Sequence, residues 1–140
     1  MIVKANKGHL NQILGIESES YDNPWSYQSF LNEINNEVSS NWVYIEDAKL
    51  RGYMFGWIIQ GDYHINNIAV KVSNRRKGLA KKMIDNIIFS PKIENIYLEV
   101  SRFNDCAIRL YEKIGFRENG VRKKYYSNGA DAILYKMELK

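Results

Sequence analysis

Asn67-Ile68-Ala69-Val70-Lys71-Val72-Ser73-Asn74-Arg75-Arg76-Lys77-Gly78-Leu79-Ala80 decides how this chain folds, because the hydrophobic period changes within it. Ile65 to Val72 reads as a strand. Downstream, Leu79, Met83, Ile84, Ile87 and Ile88 fall on one helical face, while Lys77, Lys81 and Asp85 fall outside it. Pro91 closes that helix, and Ile96 to Val100 reads as the next strand. A strand, a crossover helix and a second strand in one sheet place the two strands parallel, with a right-handed crossover.

Working outward, Ile2 to Ala5 reads as a short strand and His9 to Glu19 as a helix with Leu10, Ile13, Leu14 and Ile16 on its apolar side. Ser26, after Asn23-Pro24-Trp25, is an N-cap for a second helix carrying Phe30, Leu31 and Ile34. Trp42 to Ile45 and Gly52 to Gln60 read as strands, with turns near Asp47 and at Gly61-Asp62. Asp105 to Ile114 forms a helix ended by Gly115, and the remainder a strand pair turning at Ser127-Asn128-Gly129. The order β-α-α-β-β-β-α-β-α-β-β describes a single α/β domain, residues 1–140, with a mixed sheet of about seven strands.

The 140 residues, 45% hydrophobic and 26% charged, suit one globular domain with a real core and exclude a disordered or collagen-like chain. One cysteine, Cys106, and two histidines, His9 and His64, argue against a disulfide framework and against a metal site, and suggest a reducing compartment. No targeting segment or membrane span is visible, so a cytoplasmic protein is expected. The net charge of +4 hints at nucleic acid, but its distribution points elsewhere. Gly8 to Ala48 holds seven acidic residues and no Lys or Arg, whereas Lys49 to Lys140 holds 18 basic and 9 acidic residues. Folding can scatter such a split, or it can leave two differently charged surfaces.

The turn from Arg75 to Ala80 opens a helix, where unpaired backbone N–H groups at the positive end of the dipole suit a phosphate. Taken alone, it reads first as a solvated basic turn that needs Gly78 for close packing, because short glycine motifs are weak signals. Ile96, Leu98 and Val100 share one face of their strand, and Tyr97, Glu99 and Ser101 the other. If helices cover both faces, Glu99 is at least partly buried. Its ordinary fate would be a structural ion pair. Asn104, Ile108 and Tyr111 project from nearly one helical face, where Asn104 suits an N-cap and Tyr111 a core aromatic. Cys106 has no histidine partner nearby in sequence and reads as a small apolar helix residue.

Arg75-Arg76-Lys77-Gly78-Leu79-Ala80 fits, end to end, the Gln/Arg-x-x-Gly-x-Gly/Ala signature of the GNAT N-acetyltransferases, which the chain resembles. The closer resemblance is to the ribosomal-protein alanine acetyltransferases. It extends over Asn23-Pro24-Trp25-Ser26, Tyr97-Leu98-Glu99-Val100 with Asn104, Ala107 to Phe116, and Gly120 to Tyr126 with Asp131-Ala132. The resemblance implies a GNAT fold, with helices on both faces of the sheet and a splayed strand pair that admits acetyl-CoA. It implies that Arg75, Arg76, Lys77, Gly78, Leu79 and Ala80 hold the diphosphate, and that Ile68, Ala69 and Val70 line the pantetheine arm. A backbone N–H near Val70 would polarise the thioester carbonyl.

Asn104 would contact the cofactor, Glu99 would be the general base and Tyr111 the general acid, with direct transfer and no metal. Trp25, Tyr125 and Tyr126 would border the acceptor groove, or else serve as packing aromatics. The implied substrate is a protein N-terminus, an alanine on a small-subunit ribosomal protein, acetylated by a monomer with no membrane and no direct nucleic acid required. Two alternatives keep much of this: an acetyltransferase acting on a lysine, polyamine or small-molecule amine, and a non-catalytic ribosome- or RNA-associated module.

Overall fold

The computed structural model describes residues 1–139. Its strands are β1 (Ile2–Lys4), β2 (Ser39–Glu46), β3 (Lys49–Ile59), β4 (Asp62–Val70), β5 (Asn95–Ser101), β6 (Arg117–Arg122) and β7 (Ala132–Glu138). Its helices are α1 (Leu10–Ser20), α2 (Tyr27–Ile34), α3 (Leu79–Ile88) and α4 (Asp105–Ile114). One seven-stranded sheet runs in the order β1-β2-β3-β4-β5-β7-β6, with β4 and β5 parallel and every other pair antiparallel. The α/β reading, the strand count and the parallel pair around α3 are therefore met.

Alternation along the central strands builds two cores on opposite faces. Tyr53, Phe55 and Ala69 join Leu10, Ile13, Ile16 and Phe30 under α1 and α2, whereas Met54, Ile68, Leu98 and Val100 join Met83, Ile84 and Tyr111 under α3 and α4. Phe30 meets Tyr53 and Phe55 edge-on, at ring-centre distances of 5.9 and 5.1 Å. The α1–α2 layer spans β1 to β4. Beyond β4 no helix among the described residues covers the same face of β5, β7 and β6, so Glu99 lies on an open face, with its side chain still partly buried at 32% accessible.

Several local signals hold. Ser26 caps α2, its hydroxyl accepting from the Ser29 N–H at 3.1 Å. Ser26→Ala removes that bond, and a melting-temperature fall equivalent to about 1 kcal/mol is expected by thermal denaturation. Asn104 caps α4 and Gly115 ends it with φ +127°. Two boundaries differ from the sequence expectation. β4 stops at Val70 because Lys71 N–H makes the last bond to Arg51 O, and Val72–Asn74 winds into a 3₁₀ turn. The C-terminal strands stop short of Ser127-Asn128-Gly129, with Arg122 and Ala132 as their last paired residues and a turn at the tip of the intervening loop.

Candidate active site

β4 and β5 pair only from Asp62 to Ile65 and from Asn95 to Leu98. Past that point they separate, and Asn66 begins the divergence. Asn66 is an extra residue in β4, since Phe55 pairs with Asn67 while Gly56 pairs with Ile65. Gly56 is required opposite this bulge, because an added Cβ would lie 2.6 Å from His64 O.

Strand alternation fixes what the open edge of β4 presents. With Lys71 bonded to Arg51, the pattern turns the backbone groups of Ala69 and Asn67 toward β3, and those of Ile68 and Val70 toward the wedge. Two side chains close the carbonyls on that edge. The Tyr21 hydroxyl donates to Ile68 O, and Arg75 Nε donates to Val70 O at 3.0 Å while its Nη2 donates to Ser20 Oγ at 3.0 Å. The Ile68 and Val70 N–H groups therefore face the wedge.

At the end of β4 the chain turns through Arg76, φ +65°, and Gly78, φ +76°, before α3 begins. The backbone N–H groups from Arg76 to Lys81 find no acceptor among the described residues. A Cβ built on Gly78 meets nothing within 4 Å, so close packing is not why glycine stands there. Its left-handed backbone is the reason. The empty space beside it and the row of free amides fit an anionic group such as a diphosphate. Arg76 and Lys77 are exposed at its rim, and Arg75 braces β4 against α1 through two of its N–H groups.

A cavity of about 390 Å³ fills the wedge, lined among others by Glu17, Tyr21, Trp25, Asn67, Ile68, Glu99, Asn104, Tyr111 and Tyr126. A second, of about 670 Å³, runs over the open sheet face past Glu33, Trp57, Tyr97, Arg122 and Tyr125. Trp25, Asn66, Glu99 and Tyr126 line both. Glu99 Oε1 pairs with Arg122 Nε at 3.2 Å, and the Arg122 guanidinium sits 5.6 Å from the centre of the Tyr125 ring. Tyr111 is buried against Phe116, and its hydroxyl has no hydrogen-bond partner among the described residues. Burial first, and then the nearby Tyr21 and Tyr126, push its pKa well above the ordinary tyrosine value.

Of the residues singled out in the sequence, Trp25, Ile68, Glu99, Asn104, Tyr111 and Tyr126 meet around the wedge. Tyr125 lies on the outer cavity. Ala69 does not reach the wedge: its methyl group packs in the α1–α2 core and its backbone turns to β3. Leu79 and Ala80 bury their side chains and offer only their amides to the cradle.

Sequence reasoning missed Glu17, which is 1% exposed. Tyr53 Oη donates to its Oε1 at 2.5 Å, Asn67 Nδ2 to the same oxygen at 2.9 Å, and Trp25 N–H to Oε2 at 2.9 Å. Leu10, Ile13 and Glu17 stand at i, i+3 and i+7, so a carboxylate on the apolar stripe of α1 was the available signal. Tyr21 was missed as well. Its hydroxyl pKa is pushed up to about 12, by burial and then by Glu17.

Known proteins agree with this architecture. The chain is 33% identical over 130 residues to a Bacillus subtilis protein provisionally named as a [ribosomal protein bS18]-alanine N-acetyltransferase, covering 89% of this chain and 86% of that one. It is 32% identical over 146 residues to an N-alpha-acetyltransferase of Saccharolobus solfataricus, covering 93% and 87%. The crystal structure of the ribosomal-protein-S18-alanine N-acetyltransferase from Escherichia coli superposes with a TM-score of 0.90 at 26% identity, covering 100% of this chain and 94% of the other. Residues 10–116, which run from α1 to just past α4, match the family model described as Acetyltransferase (GNAT) family, and on that extent the protein belongs to the GNAT acetyltransferases.

Proposed function

We propose that this acetyltransferase moves the acetyl group of acetyl-CoA to the N-terminal α-amino group of a protein, the N-terminal alanine of a small-subunit ribosomal protein, in the cytoplasm and by direct transfer. The observation that carries the reading is the position of Glu99 where the two cavities meet. One cavity lies along the open β4 edge beside Ile68 and suits the donor. The other crosses the open sheet face and suits an extended chain end. The relatives whose names specify a protein N-terminus support this choice of acceptor.

In the proposed reaction Glu99 takes a proton from the acceptor ammonium, and the freed nitrogen lone pair attacks the thioester carbonyl. The Ile68 and Val70 N–H groups are the donors available for the oxygen as it gains charge. The carbon–sulfur bond then breaks, and Tyr111 gives its proton to the departing thiolate. Asn104 both caps α4 and borders the donor. Trp25, Tyr125 and Tyr126 border the acceptor. Glu17, Asp22 and Glu33, from the lysine- and arginine-free first third, line the cavities, which suits a basic chain end.

Incubation with acetyl-CoA and peptides copying ribosomal-protein N-termini, followed by mass spectrometric fragmentation, tests the reading. One acetyl group on the α-nitrogen of an alanine-first peptide is expected. Acetylation of lysine side chains or polyamines without any α-amine product would overturn it.

A further inference from the structure

Glu17 is the only buried charged residue among those described, and the proposed reaction gives it no step beyond its place in the acidic lining of the wedge. Its three hydrogen bonds all come from neutral donors, and no Lys, Arg or His reaches it within ion-pair distance among the described residues. Arg75 acts on neighbouring Tyr21 and Tyr53 at longer range, but the two hydrogen bonds it makes go to Val70 O and Ser20 Oγ and none goes to Glu17 among the described residues. A buried carboxylate without a counter-ion is costly, and a fold that keeps one beside a cavity leaves a cation's place open. Glu17 and Glu99 both line the wedge cavity, yet they differ in kind. Glu99 lies on the open face and is paired to Arg122, whereas Glu17 is locked by Tyr53, Asn67 and the Trp25 N–H.

We propose that the missing counter-charge is the acceptor's ammonium, so that Glu17 is a fixed anionic recognition residue for a cationic amine; this rests on the acceptor entering the wedge as proposed above. Glu99 takes the proton, and Glu17 holds the cation before it is lost. The acceptor nitrogen is positive as the bound ammonium and becomes positive again as it attacks the carbonyl, so the carboxylate binds ground and transition states alike and its contribution belongs in KM and not in kcat. The bond from Trp25 N–H makes the same carboxylate a tether for the α1–α2 connection that borders the cavity. Glu17 reads charge only, and does not separate an α-amine from a lysine ε-amine.

The test is steady-state kinetics of Glu17→Gln with the acceptor peptide. Its acceptor KM should rise about tenfold, in line with the loss of an interaction with a charged group. The kcat should stay within about threefold and the acetyl-CoA KM should not move. Glu17→Asp, which keeps the charge, should recover most of the acceptor affinity. A folded Glu17→Gln protein with unchanged acceptor KM would overturn the proposal, as would a variant that loses kcat and acetyl-CoA affinity together. Should Glu17→Gln not fold, binding is measured to Glu99→Gln, comparing the peptide with its des-amino analogue. A preference of about tenfold for the cationic peptide supports the proposal, and equal binding overturns it. Wild-type protein that acetylates no peptide marks failure of the preceding reading instead.

Discussion

Glu99→Gln is expected to lower kcat about 10²- to 10³-fold while the acetyl-CoA KM stays near its wild-type value. An α-ammonium has a reference pKa of about 7.7–8.0, so most of the acceptor arrives protonated at neutral pH and has no lone pair to attack with. Glutamine keeps the shape of the side chain and removes the proton acceptor. The deficit should therefore shrink as the pH is raised past the amine's own pKa, because solution then supplies the neutral nucleophile. The variant should stay folded. Among the described residues the only ion pair it loses is the one with Arg122, in which the Arg122 and Glu99 side chains are 58% and 32% accessible. Such exposed pairs contribute about 0–1 kcal/mol. Stopped-time assays with purified variant across pH check both the size of the loss and its recovery, and full activity at neutral pH would remove Glu99 from its proposed role.

Tyr111→Phe is expected to cost about 10²-fold in kcat, again with acetyl-CoA binding retained by calorimetry. Burial raises the pKa of this tyrosine, so it keeps its proton across the neutral range until a base forms beside it. The leaving thiolate is desolvated in the same cavity, which raises its own basicity and makes it that base. The hydroxyl has no hydrogen-bond partner among the described residues, so its removal orphans no buried group and the melting temperature should scarcely change. This separates Tyr111 from Tyr53, whose hydroxyl is bonded to Glu17 and whose loss would disturb the fold. Unaltered turnover in Tyr111→Phe would leave the thiolate to be protonated by solvent.

Much of the site was legible before folding because its parts are local. The change of hydrophobic period across Val70 to Leu79 marks the strand, the turn and the helix, and a glycine at the left-handed residue before α3 keeps the amide cradle open. Asn104 three residues before Ala107, with Gly115 after Ile114, fixes both ends of α4 and hence where Tyr111 projects. The register of Glu99 against Leu98 and Val100 follows from alternation alone.

What alternation could not say is which layer covers which part of a face. Whether Glu99 is roofed depends on α1 and α2 reaching only as far as β4, a matter of packing between segments far apart in sequence. Arg75 reads in the sequence as a phosphate ligand, and only the fold turns two of its N–H groups to Ser20 and Val70, 55 and 5 residues away. Glu17 is the sharpest case. The sequence put a carboxylate on an apolar stripe, but only the tertiary structure brought it Tyr53 and Asn67, 36 and 50 residues distant. Local sequence determined the elements, their caps and the cradle, because those follow from backbone geometry within a few residues. The burial, pairing and charge balance of the site's side chains were decided by the fold, because they depend on contacts that no short stretch contains.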